Sequence, residues 1–353
     1  NKIGEPVILG YTRSFGTNTL ALENPRYEYV KPIMYSGGIG IIKDKNVKKG
    51  NVDLGQLVVR VGGPAYNIGL GGGSASSRNQ DTQNKELDFN AVQRGDPQME
   101  NKAARFIEIC SNLDENPIIS VHDQGSGGMG NVTKEIMSPL GGIVTLNTVN
   151  LGEPDLSSNV IWNAEYQEQF TILINHRDIN LVKKIAKREN VKLEFVGVIT
   201  NSGCISVNNV NDAIEKVIDF DLKPVLDTIP TKKYELYQDK NLLNEDDIIF
   251  KKPSSTDLLL FESTLEKILT NINVGSKRFL TNKVDRSVSG LIAQQQCVGP
   301  FHIPLSNFSL TSLGFLDTKG TVASIGEQPI KGIMNNISGV EMSIGEMLTN
   351  LIF

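Results

Sequence analysis

Pro117-Ile118-Ile119-Ser120-Val121-His122-Asp123-Gln124-Gly125-Ser126-Gly127-Gly128-Met129-Gly130 is the stretch on which the fold class turns. An apolar, β-favouring run to His122 breaks at an acid and a glycine-rich loop, and residues 131–136 then carry helical spacing. Strand, glycine loop and helix in that order are a unit of mixed α/β architecture. An acid at a strand end, followed by glycines that open a helix, also suits Mg²⁺ and phosphate, because a helix start presents unpaired N–H groups. Read alone, Asp123 serves equally well as a turn or N-cap residue. His122 is read as structural.

The same alternation extends outward. Residues 56–61 read as a strand ended by Gly62-Gly63-Pro64, and residues 98–110 as a helix with Ala103, Phe106, Ile107 and Cys110 on one side. Further strands are expected at 143–149, 169–174 and 193–199, with a helix over 180–188. From about 222 to 255 the chain turns charged and weakly periodic, the character of a connector. A helix is expected over 257–272, a new strand near Lys277, and a last helix over 340–352 with Val340, Ile344, Met347, Leu348 and Leu351 as its apolar stripe.

The 353 residues exceed the usual single core, so two structural units are expected. A net charge of −5 and the lack of any Lys/Arg stripe exclude a nucleic-acid footprint. No apolar run approaches membrane-spanning length, and nothing at the amino terminus resembles a targeting peptide. The three cysteines, Cys110, Cys204 and Cys297, lie far apart without CxxC spacing. They point to a reducing cytosol, without a disulfide framework, zinc site or catalytic thiol. Asn1 at the start and the apolar Leu351-Ile352-Phe353 at the end read as cuts through a longer chain.

Three more motifs carry chemistry. Val61-Gly62-Gly63-Pro64-Ala65-Tyr66-Asn67-Ile68-Gly69-Leu70-Gly71-Gly72-Gly73-Ser74 brings three consecutive glycines, which let backbone amides approach an anion. It is neither a Walker loop nor a dinucleotide fingerprint, and glycines alone equally describe a surface loop. Val92-Gln93-Arg94-Gly95-Asp96-Pro97 follows. Trp162-Asn163-Ala164-Glu165-Tyr166-Gln167-Glu168 would set Glu165 and Gln167 on one face if extended.

Taken in chain order, the four motifs resemble the formylglycinamidine ribonucleotide amidotransferases, the phosphoribosylformylglycinamidine synthase family. Its superfamily also contains aminoimidazole ribonucleotide synthetase. Asn24-Pro25-Arg26-Tyr27, Lys31-Pro32-Ile33-Met34-Tyr35-Ser36-Gly37-Gly38, Val284-Asp285-Arg286-Ser287 and Gln294-Gln295-Gln296-Cys297-Val298-Gly299-Pro300 extend the likeness from end to end. The glutamine run is most like the large, single-chain eukaryotic members.

The resemblance implies an ATP- and Mg²⁺-dependent ligase of purine biosynthesis, with this chain as an internal piece of its synthetase region. The enzyme would activate the amide oxygen of formylglycinamide ribonucleotide, and glutamine-derived ammonia would then displace phosphate. The remaining synthetase and glutaminase regions of the longer chain would be its partners. Asp123 matches a Mg²⁺ ligand. Gln93, Glu165, Tyr166, Gln167 and the Gly71-Gly72-Gly73 loop match substrate-binding positions. Ser14, Phe15 and Gly16 fall in a nucleotide-contacting segment. Ser306 matches a contact to an auxiliary, structural ADP, with Glu346 and Asn350 matching ligands of its Mg²⁺. Asn307 stands where the family has an acidic ligand, so that site lacks one charge. No catalytic residue is assigned within the 353 residues, and the chain alone is not expected to run the reaction.

The implied architecture is an α/β sandwich flanked by parts of two β-rich, barrel-forming units. Residues 1–52 would end the first β-rich half, 53–222 form the sandwich, 223–275 connect, and 276–353 begin the second half. Two other readings stand beside this one: a sister ATP-dependent synthetase or kinase of the superfamily, and a non-catalytic scaffold homologue. Gln93 and Glu165–Tyr166–Gln167 speak against the first, and the intact Asp123 and triple glycine against the second.

Overall fold

A computed structural model describes residues 9–18, 26–37, 42–67, 96–125, 127–165, 168–209, 216–227, 231–235, 258–275, 291–294, 297–298, 300–301, 303–304 and 308–352. The chain divides into two compact units, residues 42–232 and a second made of 1–41 with 233–353.

In chain order the described strands begin with β1 (Leu9–Asn18) and β2 (Arg26–Gly37), an antiparallel pair in the second unit. The 42–232 unit then supplies β3 (Leu57–Gly62), α1 (Pro97–Asn112), β4 (Ile118–Asp123), α2 (Gly128–Met137), β5 (Gly142–Thr145) and α3 (Ser158–Asn163). It continues with β6 (Gln169–Ile174), α4 (Ile179–Glu189), β7 (Lys192–Ile199), β8 (Cys204–Asn208), β9 (Lys216–Asp221) and α5 (Leu222–Asp227). Its seven strands form one sheet in the order β4-β6-β3-β7-β5-β8-β9, antiparallel except for the β5–β8 pair.

Period-two alternation in β3 and β6 divides the core between the two faces of this sheet. Val59, Val61, Ile172 and Ile174 point to one face, where Ala103, Phe106 and Cys110 of α1 and Val182, Ile185 and Ala186 of α4 cover them. Val58 and Leu173 point to the other, under Met129, Ile136 and Met137 of α2 and Ile161 and Trp162 of α3. The result is an α/β sandwich with a helical layer on each face.

The second unit continues with α6 (Leu258–Leu269), the short strands β10 (Ile292–Gln294), β11 (Cys297–Val298) and β12 (Ile303–Pro304), then β13 (Phe308–Ser312), β14 (Gly320–Ser324), α7 (Pro329–Met334) and α8 (Asn336–Ile352). β10, β13 and β14 form an antiparallel sheet. No helix among the described residues is long and apolar enough to cross a membrane.

Several boundaries differ from expectation. The strand expected over 143–149 stops at Thr145, because Leu146–Thr148 tightens into a 3₁₀ turn that buries Leu146. Trp162 and Asn163 are not extended but end α3, whose start is capped by Ser157 accepting a hydrogen bond from Val160 N–H at 3.3 Å. α2 begins at Gly128, inside the glycine run, and α8 at Asn336, four residues before its apolar stripe. The helix expected over 257–272 is described over Leu258–Leu269, and residues 271–275 turn. The connector opens on a helical turn, α5, rather than irregular chain. The strand expected near Lys277 lies outside the described residues.

Candidate functional site

Four of the quoted segments meet at one end of the seven-stranded sheet. β3 ends where β6 begins, with Gly62 opposite Gln169, and the last residue of β4, Asp123, lies opposite Phe170. Gln124 prolongs that ladder by donating its N–H to Gln169 O at 3.0 Å. Met99, in the first turn of α1, lies against Gly63. Asp96 caps α1 by accepting from Met99 N–H at 3.0 Å, and its own backbone N–H serves the Glu168 carboxylate. Two glycines permit this closeness. Gly62 has φ +135° and a Cβ there would overlap Glu168 O, while Gly128 has φ +55° and a Cβ would overlap Ala164 O.

A buried ion pair locks the junction. Arg60 is 1% exposed in the middle of a valine-rich strand. Its Nη1 donates to Glu194 Oε2 at 2.6 Å, its Nε to Gln169 Oε1 at 2.7 Å, and its Nη2 to Gly63 O at 2.9 Å. Gln169 Nε2 donates to the same Gly63 carbonyl at 2.7 Å. The guanidinium's planar fork thus ties β3, β6 and β7 to the start of the glycine-rich segment. Burial pushes the Glu194 carboxyl up, and Arg60 pulls it back. Burial also pushes Glu168 up, the Asp96 N–H lowers it, and the nearby charges of Glu100 and Asp96 raise it further. Glu168 sits at φ +61°, a strained conformation for a non-glycine residue.

Asp123 leaves the strand with its side chain 79% exposed. It does not cap α2, whose N-cap is Gly127 in the left-handed region without a side-chain hydrogen bond. The N-cap alternative for Asp123 is thereby removed. His122 is the structural member of the pair. Its Nε2 lies 2.7 Å from Glu135 Oε2 on α2 and its Nδ1 2.7 Å from Asp123 O, which fixes the strand end to the helix. Glu165 is half-buried at the same end. Gly71, Gly72, Gly73, Gln93, Tyr166 and Gln167 lie outside the described residues, although the described chain on both sides of 68–95 and 166–167 belongs to this end.

Three participants were not legible as such: Arg60, Gln169 and Gln124. A lone charge within Leu57-Val58-Val59-Arg60-Val61 was the available signal for the first. Gln124 is 6% exposed, and neither its Oε1 nor its Nε2 has a hydrogen-bond partner. Leaving such groups unsatisfied costs about 1–3 kcal/mol each.

The remaining candidates belong to the second unit. Ser14 and Phe15 are each 2% exposed, at a register shift between Arg13 and Phe15 in β1. Phe15 stacks on Tyr29 at 5.5 Å, and Asn273 closes both backbone groups of Gly16, accepting at 2.6 Å and donating at 2.9 Å. Glu346 and Asn350 share one face of α8 and turn to the segment after β14. Glu346 Oε2 accepts from Glu327 N–H at 3.0 Å and Gln328 Nε2 at 2.8 Å, and Asn350 Nδ2 donates to Ile325 O at 3.0 Å. Ser306 and Asn307 lie outside the described residues. Of the cysteines, Cys110 is buried with its thiol pushed up to about 12, and Cys204 donates to Asp221 at 2.9 Å, so neither is set up as a thiolate.

A sandwich of this topology with its motifs gathered at one sheet end defines an AIR-synthase-type domain, and residues 54–208 match the model of the AIR synthase related protein C-terminal domain. Residues 276–353 match the FGAR-AT PurM_N-like domain. All of the chain aligns with phosphoribosylformylglycinamidine synthases, at 44% identity in Dictyostelium discoideum, 43% in Drosophila melanogaster and 40% in Homo sapiens, covering 26%, 27% and 27% of those proteins. From end to end the chain is similar to phosphoribosylformylglycinamidine synthases, and it spans about a quarter of the length of the curated relatives it matches. The fold is also that of Thermotoga maritima PurL complexed with FGAR, at a TM-score of 0.62 and 18% identity over 99% of this chain and 50% of that one.

Proposed function

We propose that the protein carrying this chain is an ATP-dependent ligase. It would convert formylglycinamide ribonucleotide to formylglycinamidine ribonucleotide with glutamine-derived ammonia, and the converged end of the sandwich would contribute to its substrate site. The observation that carries this reading is the likeness of the whole chain to part of the synthases of that name, together with the meeting of four motif segments at one sheet end. The glutaminase and remaining synthetase regions would come from the rest of a longer chain. Free, widely spaced cysteines favour the cytosol, although the Arabidopsis thaliana relative is designated chloroplastic/mitochondrial.

The donor set fits Mg²⁺. Among the described residues no three His, Cys, Asp or Glu side chains gather around one point. Mg²⁺ is characteristically held by one or two carboxylates, with water and phosphate oxygens completing the shell. Asp123 offers one exposed carboxylate at the sandwich end. Glu346 with the Asn350 amide would offer two groups one helical turn apart for the auxiliary ADP site. Bound with ATP, Mg²⁺ neutralises phosphate charge and favours phosphoryl transfer. Thermotoga maritima PurL has been solved in complexes with ATP and with ADP, and the shared fold is consistent with the same ligands here.

The chain's own residues would bind and orient. Gln93 and the Glu165–Gln167 segment would hold the ribonucleotide, and the 71–73 loop would offer backbone amides. Arg60 and Gln169 fix the Gly63 carbonyl, eight residues before Gly71 in sequence. Ser14–Gly16 and Ser306 would contact nucleotide. Purified native protein supplied with ribonucleotide, Mg-ATP and glutamine or ammonia should release one phosphate per amidine formed. Phosphate release indifferent to the ribonucleotide would refute the assignment.

A further inference from the structure

We infer that Gln124 is a specificity residue for the amide group of the ribonucleotide, a deepening that rests on the function proposed above. Among the described residues it is the one buried side-chain amide whose oxygen and nitrogen both lack partners; Gln56, Gln169 and Asn209, buried to a similar degree, are all hydrogen-bonded. Buried amides are almost always satisfied, so one whose oxygen and nitrogen are both open calls for a partner from outside the chain.

Its position says where that partner would come from. Gln124 pairs through its backbone with Gln169 and so falls on the face of the sheet that carries Gln169, Arg60 and Glu194. The preceding residue is Asp123, and Gln169 is preceded in sequence by the Glu165–Glu168 segment. The neighbouring polar groups on that face are joined to one another: Arg60 to Glu194 Oε2, Gln169 and Gly63, and Gln169 to Gly63. They fix the wall; Glu194 Oε1 is left without a partner there as well, but Gln124 is the group whose donor and acceptor are both open.

The chemistry of the missing partner follows from the group itself. A primary amide presents one acceptor and one donor side by side, and its complement is a second amide. A phosphate offers only acceptors and a bound cation only a charge, so each would satisfy half of Gln124. The formylglycinamide moiety supplies both an amide N–H and a carbonyl oxygen. A pocket built to meet that pair rejects ligands that lack it, because the buried amide would then stay unpaired.

The test uses the full native protein with Gln124→Met, which keeps length and removes both polar atoms. Two neutral hydrogen bonds predict a rise of about tenfold in KM for formylglycinamide ribonucleotide, with KM for ATP changed less than about twofold. Tm should hold or rise, since an unsatisfied buried amide has been removed. Unchanged ribonucleotide KM, or a fall in Tm with both KM values rising together, would overturn the inference in favour of a structural role. Calorimetric titration of the ribonucleotide separates this from the underlying function. Wild-type protein that binds without amidating refutes the reaction but still judges Gln124 by the tenfold weakening in the variant, and wild-type protein that does not bind refutes both.

Discussion

Arg60 carries a full charge into a sheet interior, which is tolerable only because every face of the guanidinium meets an oxygen: a carboxylate, a side-chain amide and a main-chain carbonyl. Removing one partner leaves the other charged and buried. Arg60→Met should therefore cost about 3–5 kcal/mol in urea unfolding, whereas Arg60→Met with Glu194→Leu should recover most of the loss. Equal stability of the single and double variants would show that the pair does not bear on the fold. The pH dependence has a definite sign. Burial holds the Glu194 carboxyl above its unfolded value, and without Arg60 it rises further. A group that binds its proton more tightly when folded favours the fold at lower pH, so the Arg60→Met deficit should shrink as pH is lowered toward the ordinary carboxylate range. At this scale the sequence singles out Asp123 as a candidate, because an acid before glycines is a local pattern. Arg60 and Gln124 escape it, since what makes them notable is which strands flank them and which atoms stay unpaired.

Among the elements, α1 and α4 pack side by side on one sheet face and are joined at their polar edge by Glu189, which is 5% exposed. Arg188 Nε lies 2.6 Å from one of its oxygens and Arg105 Nη2 2.6 Å from the other. The hydrogen bond from Arg188, opposed by burial and aided by the Arg105 charge, holds this carboxyl below the usual range. A depressed carboxyl contributes stability above its unfolded value and loses it as pH falls through its folded one. Glu189→Gln should therefore flatten the acid limb of the urea midpoint against pH, and parallel curves for variant and wild type would contradict that role. On α8, the face bearing Glu346 and Asn350 holds the turn after β14 through three hydrogen bonds. Native protein with Glu346→Ala and Asn350→Ala should purify with little bound ADP, assayed after denaturation, while wild type carries close to one equivalent. Equal nucleotide content would remove the auxiliary site.

The elements that alternate strongly were readable: residues 169–174 coincide with β6, and β3, β4, β7, α1 and α4 fall within two residues of expectation. β8 and β9 were missed. β8 gains its place by parallel pairing with β5, some sixty residues away in sequence, and β9 is a charged edge strand whose exposed face hides its period. The stripe on α8 was legible too, yet Val340, Ile344, Leu348 and Leu351 are exposed. Amphipathic spacing says that a face is apolar, not which residues cover it.

For the molecule as a whole, the likeness to phosphoribosylformylglycinamidine synthases runs through both compact units. Asp123 in one and the Glu346–Asn350 pair in the other are candidates for two different nucleotide-linked cations. Their roles should separate under mutation: loss of the α8 pair should act through nucleotide content, and loss of Asp123 through the chemistry itself. The most direct test is the Mg²⁺ dependence of amidation by the full native protein, wild type against Asp123→Asn, with ribonucleotide and ATP saturating. Asparagine keeps the shape and hydrogen-bonding oxygen but removes the charge that would hold the ion. The variant's rate should be at least about a hundredfold lower, with half-saturation moved to higher Mg²⁺ and Tm unchanged. A variant with the wild-type rate and the wild-type Mg²⁺ requirement would contradict that role.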